Sequence, residues 1–361
     1  MKAFVTGGTG FIGRQVVRKL VARGYEVFAL VRSANGASDL LETGANPVRG
    51  DINDVESMRA GMTGSDVVFH IAGWYKLGGR DWQQAEQVNV QGTRNVLGLA
   101  KELGVPKIIY TSTVAVFGNT RGLLCDESYQ PPESPFLTEY DRTKWKAHYE
   151  VALPLIQEGA PVIIVMPGGV YGPGDPSLVG DFMKGYYKGL FPVLPGPELV
   201  LTFAHVDDVA EGHILAAEKG VPGESYILAG PAASIGEVVK IWASVTGRPA
   251  PYFYIPARFV KPLAPVMGIL GSILPLPQLI SRDVLTILDA CYRAEADKAR
   301  EQLGWSTRPL EEGMRATFEW IAQTEKQASP ASRRRYQIAG FLITAALGLL
   351  IFRLFNRKRN P

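Results

Sequence analysis

KAFVTGGTGFIG, residues 2–13, joins a short apolar run directly to a glycine-rich turn and an amphipathic helix. Ala3, Phe4 and Val5 have the profile of a buried strand, and Ile12, Val16, Val17, Leu20 and Val21 recur at helical spacing. Between them Gly7 permits a tight turn, Gly10 admits close backbone approach, and Gly13 lets the helix pack on the strand. A helix that starts at such a turn presents free N–H groups and the positive end of its dipole. The segment therefore predicts a dinucleotide pyrophosphate bound by Gly7, Gly10, Phe11, Ile12 and Gly13 at the start of the chain.

The texture continues to residue 166. Short Val/Ile/Phe-rich runs at 2–6, 25–31, 46–49, 66–71, 107–112 and 161–166 alternate with helical stretches. That pattern predicts an α/β fold, a doubly wound parallel Rossmann sheet covered on both faces. A smaller substrate lobe is expected over 167–325, with some segments returning to the first domain. Pro and Gly crowd 167–176 and 192–197 there, and 205–220 reads as a helix. Residues 259–280 are strongly apolar, but four prolines argue against a straight spanning helix. Amphipathic helix is expected over 294–325.

The 361 residues carry a net charge of +3, but seven cations and no acid fall in 331–361, leaving −4 on the first 330. Nothing in that acidic body suggests nucleic-acid binding. Two cysteines and four histidines without metal-ligand spacing argue against a disulfide framework or a metal site. Residues 336–352 (YQIAGFLITAALGLLIF) are uncharged and free of proline, with basic residues on both sides. They predict a C-terminal hydrophobic anchor helix, spanning or lying in the interface. The linker before it is 326–335 and the basic tail after it is 353–361. With no signal peptide expected, the catalytic domain should face the cytoplasm, membrane-associated through this segment.

Tyr140 and Lys144 stand four apart, on one face of a helix. A phenol tuned by a nearby ammonium can give or take a proton while hydride moves to or from a nicotinamide. A hydroxyl cluster, TSTVAVFG at 111–118, ends a central strand where open sheets bind ligands. Thr113 is the first choice to hold the reacting oxygen, with Ser112 as the alternative. At the end of the second strand stands Arg32, with no acid until Asp39. An acid there would bind a ribose 2′-hydroxyl, whereas arginine suits a 2′-phosphate, so NADP(H) is favoured over NAD(H).

TGGTGFIG (6–13), GDI (50–52), HIAG (70–73), NVQGTRNV (89–96), TSTVAVFG, YDRTK (140–144), PGGVYGPGD (167–175), HVDDVA (205–210) and LGW (303–305) occur in a telling order. Over about residues 1–325 the chain resembles an extended short-chain dehydrogenase/reductase of the NAD-dependent epimerase/dehydratase kind. Its Arg32-Ser33 pair is similar to that of dihydroflavonol-reductase-like members, which use NADPH. The resemblance implies Tyr140, Lys144 and Thr113 as catalytic. It places Asp51 and Ile52 beside the adenine, and Ala72 and Gly73 by the ribose and nicotinamide. Pro167 and Val170 would wall the nicotinamide. His205 and Asp207 read as structural.

Met166 stands where many sugar-nucleotide members have arginine, which weakens a nucleotide-sugar reading. The aromatic loop 73–82, the apolar stretch 259–280 and the anchor point instead to a lipophilic substrate. The branch resembled extends here to 3β-hydroxysteroid and sterol-4-carboxylate dehydrogenases, which suggests a sterol, hopanoid or isoprenoid ketone or alcohol. A sugar epimerase or dehydratase is the alternative, and a non-catalytic nucleotide-binding membrane factor a third reading. A homodimer through helices at 84–103 and 139–158 is expected by the same resemblance.

Overall fold

A computed structural model of the chain describes residues 1–77, 82–131, 136–273 and 278–327. Its strands are β1 (Lys2–Thr6), β2 (Glu26–Val31), β3 (Asn46–Arg49), β4 (Val67–His70), β5 (Ile108–Thr111) and β6 (Val162–Pro167). There follow β7 (Gly169–Tyr171), β8 (Val193–Pro195), β9 (Val200–His205), β10 (Ser225–Leu228), β11 (Ala232–Ser234), β12 (Phe253–Ile255) and β13 (Cys291–Tyr292). Seven of them form one sheet in the order β10-β6-β5-β4-β1-β2-β3, and every pairing in it is parallel.

The first six strands fall within a residue of their sequence expectation. β4, β5 and β6 are buried at every position, as a sheet covered on both faces requires. The strand order reverses between β1 and β4, so the loops after these two strands diverge and open a crevice at their carboxyl ends.

β10 was not anticipated. It leaves the second lobe and adds the last strand to the large sheet beside β6. The helix Val206–Lys219 just before it packs on the helix Phe11–Ala22. After residue 166 the chain thus returns to the large sheet. A second correction concerns 294–325. The π-helical turn Ala299–Leu303 ends at left-handed Gly304 and joins the first core, whereas the helix Leu310–Gln327 joins the second lobe.

The second lobe is built from β9, which pairs with β7, β11 and β13, together with the β8–β12 pair and the surrounding helices. Its core centres on Trp242, Phe203, Met314 and Phe318. As the prolines foretold, 257–273 is broken into a short helix Ala257–Val260, a 3₁₀ turn and a helix Ala264–Ile273. The apolar segment 336–352 lies outside the described residues. Among those described, no helix is long and apolar enough to cross a membrane.

Candidate active site

The glycine loop is held by close packing of backbone on backbone. Gly7 has φ +77°, and a Cβ there would come within 2.6 Å of the Ala72 nitrogen. A methyl on Gly13 would run into the Gly7 carbonyl. Gly10 caps the helix Phe11–Ala22 without any side-chain hydrogen bond, so the first-turn N–H groups have no side-chain acceptor. The donor set and the space suit a pyrophosphate. The floor between the two loops is a hydrogen-bonded row: Thr6 Oγ1 to His70 Nδ1 at 2.8 Å, and His70 Nε2 to Thr93 Oγ1 at 3.0 Å. Burial and the Lys144 cation hold His70 at about 3, so it is neutral and structural.

One continuous cavity of about 850 Å³ runs from this loop into the second lobe. Gly7, Gly10, Phe11, Ile12, Gly13, Arg32, Asp51, Ile52, Ala72, Gly73, Pro167 and Val170 all line it, together with Ser112, Thr113, Tyr140 and Lys144. Every residue that the sequence assigned to the cofactor or to the reacting oxygen thus lines one cleft. Asp39, the first acid after β2, is turned away to Arg14 at 2.9 Å. Asp51 accepts from the Asn53 backbone and side chain at 2.9 and 3.0 Å.

The helix Glu139–Lys146 is capped by Thr138, whose hydroxyl accepts from the Asp141 N–H, and it places Tyr140 and Lys144 on the cavity wall. Lys144 Nζ donates to the Thr111 carbonyl at 2.8 Å and to the Tyr110 hydroxyl at 3.4 Å. Burial alone lowers its pKa to about 7. Burial likewise pushes the Tyr140 phenol up to about 12. The structure thereby separates the two hydroxyls the sequence left open. Thr113 Oγ1 donates to the Pro167 carbonyl at 3.4 Å on the cavity wall it shares with Tyr140, whereas Ser112 Oγ is engaged at 2.8 Å by Nδ1 of buried His148.

Three contributors went unassigned in the sequence. Asn89 Nδ2 donates to the Trp74 carbonyl and to Thr143 Oγ1, while its Oδ1 accepts from the Trp74 N–H at 2.7 Å. It ties the aromatic loop to the helix Glu139–Lys146 from within a π-helical turn, Glu86–Gln91, which helical periodicity does not reveal. Asp141, buried and facing the cavity, accepts from the Tyr292 hydroxyl at 3.3 Å. Loss of water raises its pKa to about 7. Asp208 is the third. It takes the Arg308 guanidinium at 2.7–3.1 Å and clamps the second lobe, while Asp207 lies on the exposed side of the same turn at 3.9 Å. Asp207, read from the sequence as structural, thus makes the longer of the two pairings with Arg308.

Tyr75 packs edge-on against Tyr140, with ring centroids 4.9 Å apart, so part of the aromatic loop does reach the site. Beyond it the cavity is walled by Phe182, Phe191, Leu201, Trp242, Val284 and Leu288.

The sequence model of the NAD-dependent epimerase/dehydratase family matches residues 3–229. The chain belongs to this family. It is similar to a farnesyl dihydroquinoline-oxide ketoreductase of Stigmatella aurantiaca, 31% identical, with 92% of this chain and 98% of that one aligned. Sterol demethylase protein B of Methylococcus capsulatus is also 31% identical, over 84% and 93% of the two chains. Among solved structures, gox2253 superposes with a TM-score of 0.78 at 34% identity, covering 89% of this chain and 98% of that one. The family member described here is an NAD(P)-dependent oxidoreductase of the extended short-chain dehydrogenase/reductase type.

Proposed function

We propose that the enzyme interconverts a ketone and a secondary alcohol on a lipophilic ring or isoprenoid substrate, using NADP(H), with Tyr140 as acid–base. One observation carries this reading. The charged residues lining the cavity are Arg32, Asp51, Asp141 and Lys144, so the second lobe presents no cation to it among the described residues. A sugar held through a diphosphate would need such cations. An apolar substrate would gain roughly 25 cal/mol for each Å² it buries there. Two relatives, named as a farnesyl ketoreductase and a sterol demethylase protein, support this chemistry.

Arg32 supports the choice of NADP(H): it lines the cavity just past β2, and the nearest following acid is occupied by Arg14. Bound cofactor supplies or accepts the hydride. At neutral pH the Tyr140 phenol keeps its proton, which is therefore in place for a carbonyl oxygen that becomes an alkoxide. Thr113, which lines the same cavity wall, would orient the oxygen. Lys144, fixed on the Thr111 carbonyl, would hold the ribose hydroxyls. The apolar wall excludes water from the reacting atoms. Association with a membrane through 336–352 would bring such a substrate within reach.

The test is absorbance at the nicotinamide band, with detergent-purified full-length protein, NADPH or NADP⁺, and a total lipid extract. A change that requires both lipid and Tyr140 is expected. Turnover of water-soluble nucleotide sugars alone, with no net change in cofactor, would replace this reading by that of an internally recycling epimerase.

A further inference from the structure

The segment that closes the second lobe, 252–270, presents large apolar side chains to solvent. Tyr252 is 73% exposed, Phe253 68%, Phe259 58% and Val266 52%, with Ile269, Tyr254 and Leu270 beside them in the sequence. This reverses the usual order of a surface helix. The inward side of 257–267 carries Ala257, Val260, Ala264 and Met267, packed with Val284 and Leu288 of the cavity wall. The bulky residues point outward. A patch of this kind on a folded chain marks a contact surface.

Charge identifies the partner. From Val238 to Arg282 the sequence holds no Asp or Glu, but it has Lys240, Arg248, Arg258, Lys261 and Arg282. Arg258 lies 4.9 Å from the Phe259 ring centroid, and the Arg282 stem runs beside Gly268 on the helix Ala264–Ile273. Lys261 is paired with Asp289 at 2.6 Å. Aromatics, tyrosines and arginines, with the neighbouring acids Asp289 and Glu198 held by Lys261 and by the Ala257 N–H, suit the headgroup boundary of an anionic bilayer.

The chain leaves the described structure on this lobe. Glu325, in the last described helix, pairs with Lys188 at 2.9 Å. Four residues after Lys188, the Pro192 carbonyl accepts from the Tyr252 N–H at 2.9 Å. The sequence beyond then supplies an apolar segment and seven cations.

We infer that residues 252–270 seat the catalytic body directly on an anionic lipid surface, as a second contact apart from the tail, with the substrate cavity one helix layer behind it. The inference deepens the partner named in the proposed function, and it can fail without that function failing. A lipophilic substrate could still enter a body that only hangs from its tail.

The experiment uses the full chain with Cys125 and Cys291 changed to alanine. An environment-sensitive fluorophore is attached at Phe259→Cys or, as a control on the first domain, at Glu56→Cys. Phosphatidylcholine–phosphatidylglycerol vesicles should raise the Phe259→Cys emission about threefold and shift it to the blue, leaving Glu56→Cys unchanged. Adding Arg258→Glu should weaken the vesicle titration about fivefold or more. Vesicle pelleting with no change at position 259 would overturn the inference, because the tail alone would then hold the protein. An emission change that follows protein concentration without vesicles would also overturn it, assigning the patch to a second copy of the chain.

Discussion

The two halves of the cavity are made by different means. The cofactor half is backbone: Gly7 against Ala72, Gly13 against the Gly7 carbonyl, and an uncapped helix start. The substrate half is side chain, drawn from Phe182, Phe191, Leu201, Trp242, Val284 and Leu288, which lie on five separate stretches of sequence. Backbone that must approach backbone tolerates few residues, so it leaves a motif. An apolar wall can be filled by many combinations of equal volume. The first half therefore fixes the chemistry, whereas the second is free to select what that chemistry acts on.

The largest expected effect lies where the halves meet. Tyr140→Phe should lower turnover by about 10²–10⁴-fold while leaving the NADPH dissociation constant unchanged, as fluorescence titration would show. A matching loss of binding would mean that Tyr140 belongs to the cofactor half alone. Gly13→Ala should act on that half only. The added methyl meets the Gly7 carbonyl, costing about 1–3 kcal/mol in thermal unfolding, and it should remove measurable NADPH binding. Arg32→Ser should raise the KM for NADPH about 10–100-fold with little change for NADH. An equal change for both cofactors would show that the arginine does not read the 2′ position.

On the other side, Phe191→Ala should raise the substrate KM about tenfold and leave NADPH affinity intact. A shift in both would mean that the two halves of the cavity do not act separately. The smallest effect is on stability. The folded-state pKa of Asp141, about 7, lies above its unfolded value of about 3.9. Its contribution is therefore complete below about pH 4 and is lost as pH rises toward 7. Asp141→Asn should raise the melting temperature at pH 8 and leave it unchanged at pH 4. Equal shifts at both would assign the effect to packing.

Strong local rules made part of the molecule legible. Continuous Val/Ile runs located β1 to β6, and a phenol and ammonium four apart marked the helix Glu139–Lys146 that lines the cavity. β10 escaped because Ser225–Leu228 is short and lies among glycines and prolines, where no rule of periodicity operates. Asn89 escaped because its meaning depends on a π turn and on partners at 74 and 143. Asp207 and Asp208 could not be separated without knowing which side of the helix start faces Arg308. The substrate wall escaped because its residues meet only in the folded lobe.

The late arrival of β10 has a consequence for synthesis. As the chain emerges, β6 is complete long before Ser225–Leu228 can cover its free edge. Until then a fully apolar strand offers an unpaired ladder to any neighbour. Ribosomal pausing between the two strands, or a truncation placed there, should yield a nascent chain that depends on chaperones. For the same reason a substrate lobe cannot be grafted as a block from one family member to another. Chimaeras should exchange the wall segments and leave the strand that closes the sheet with its own partner.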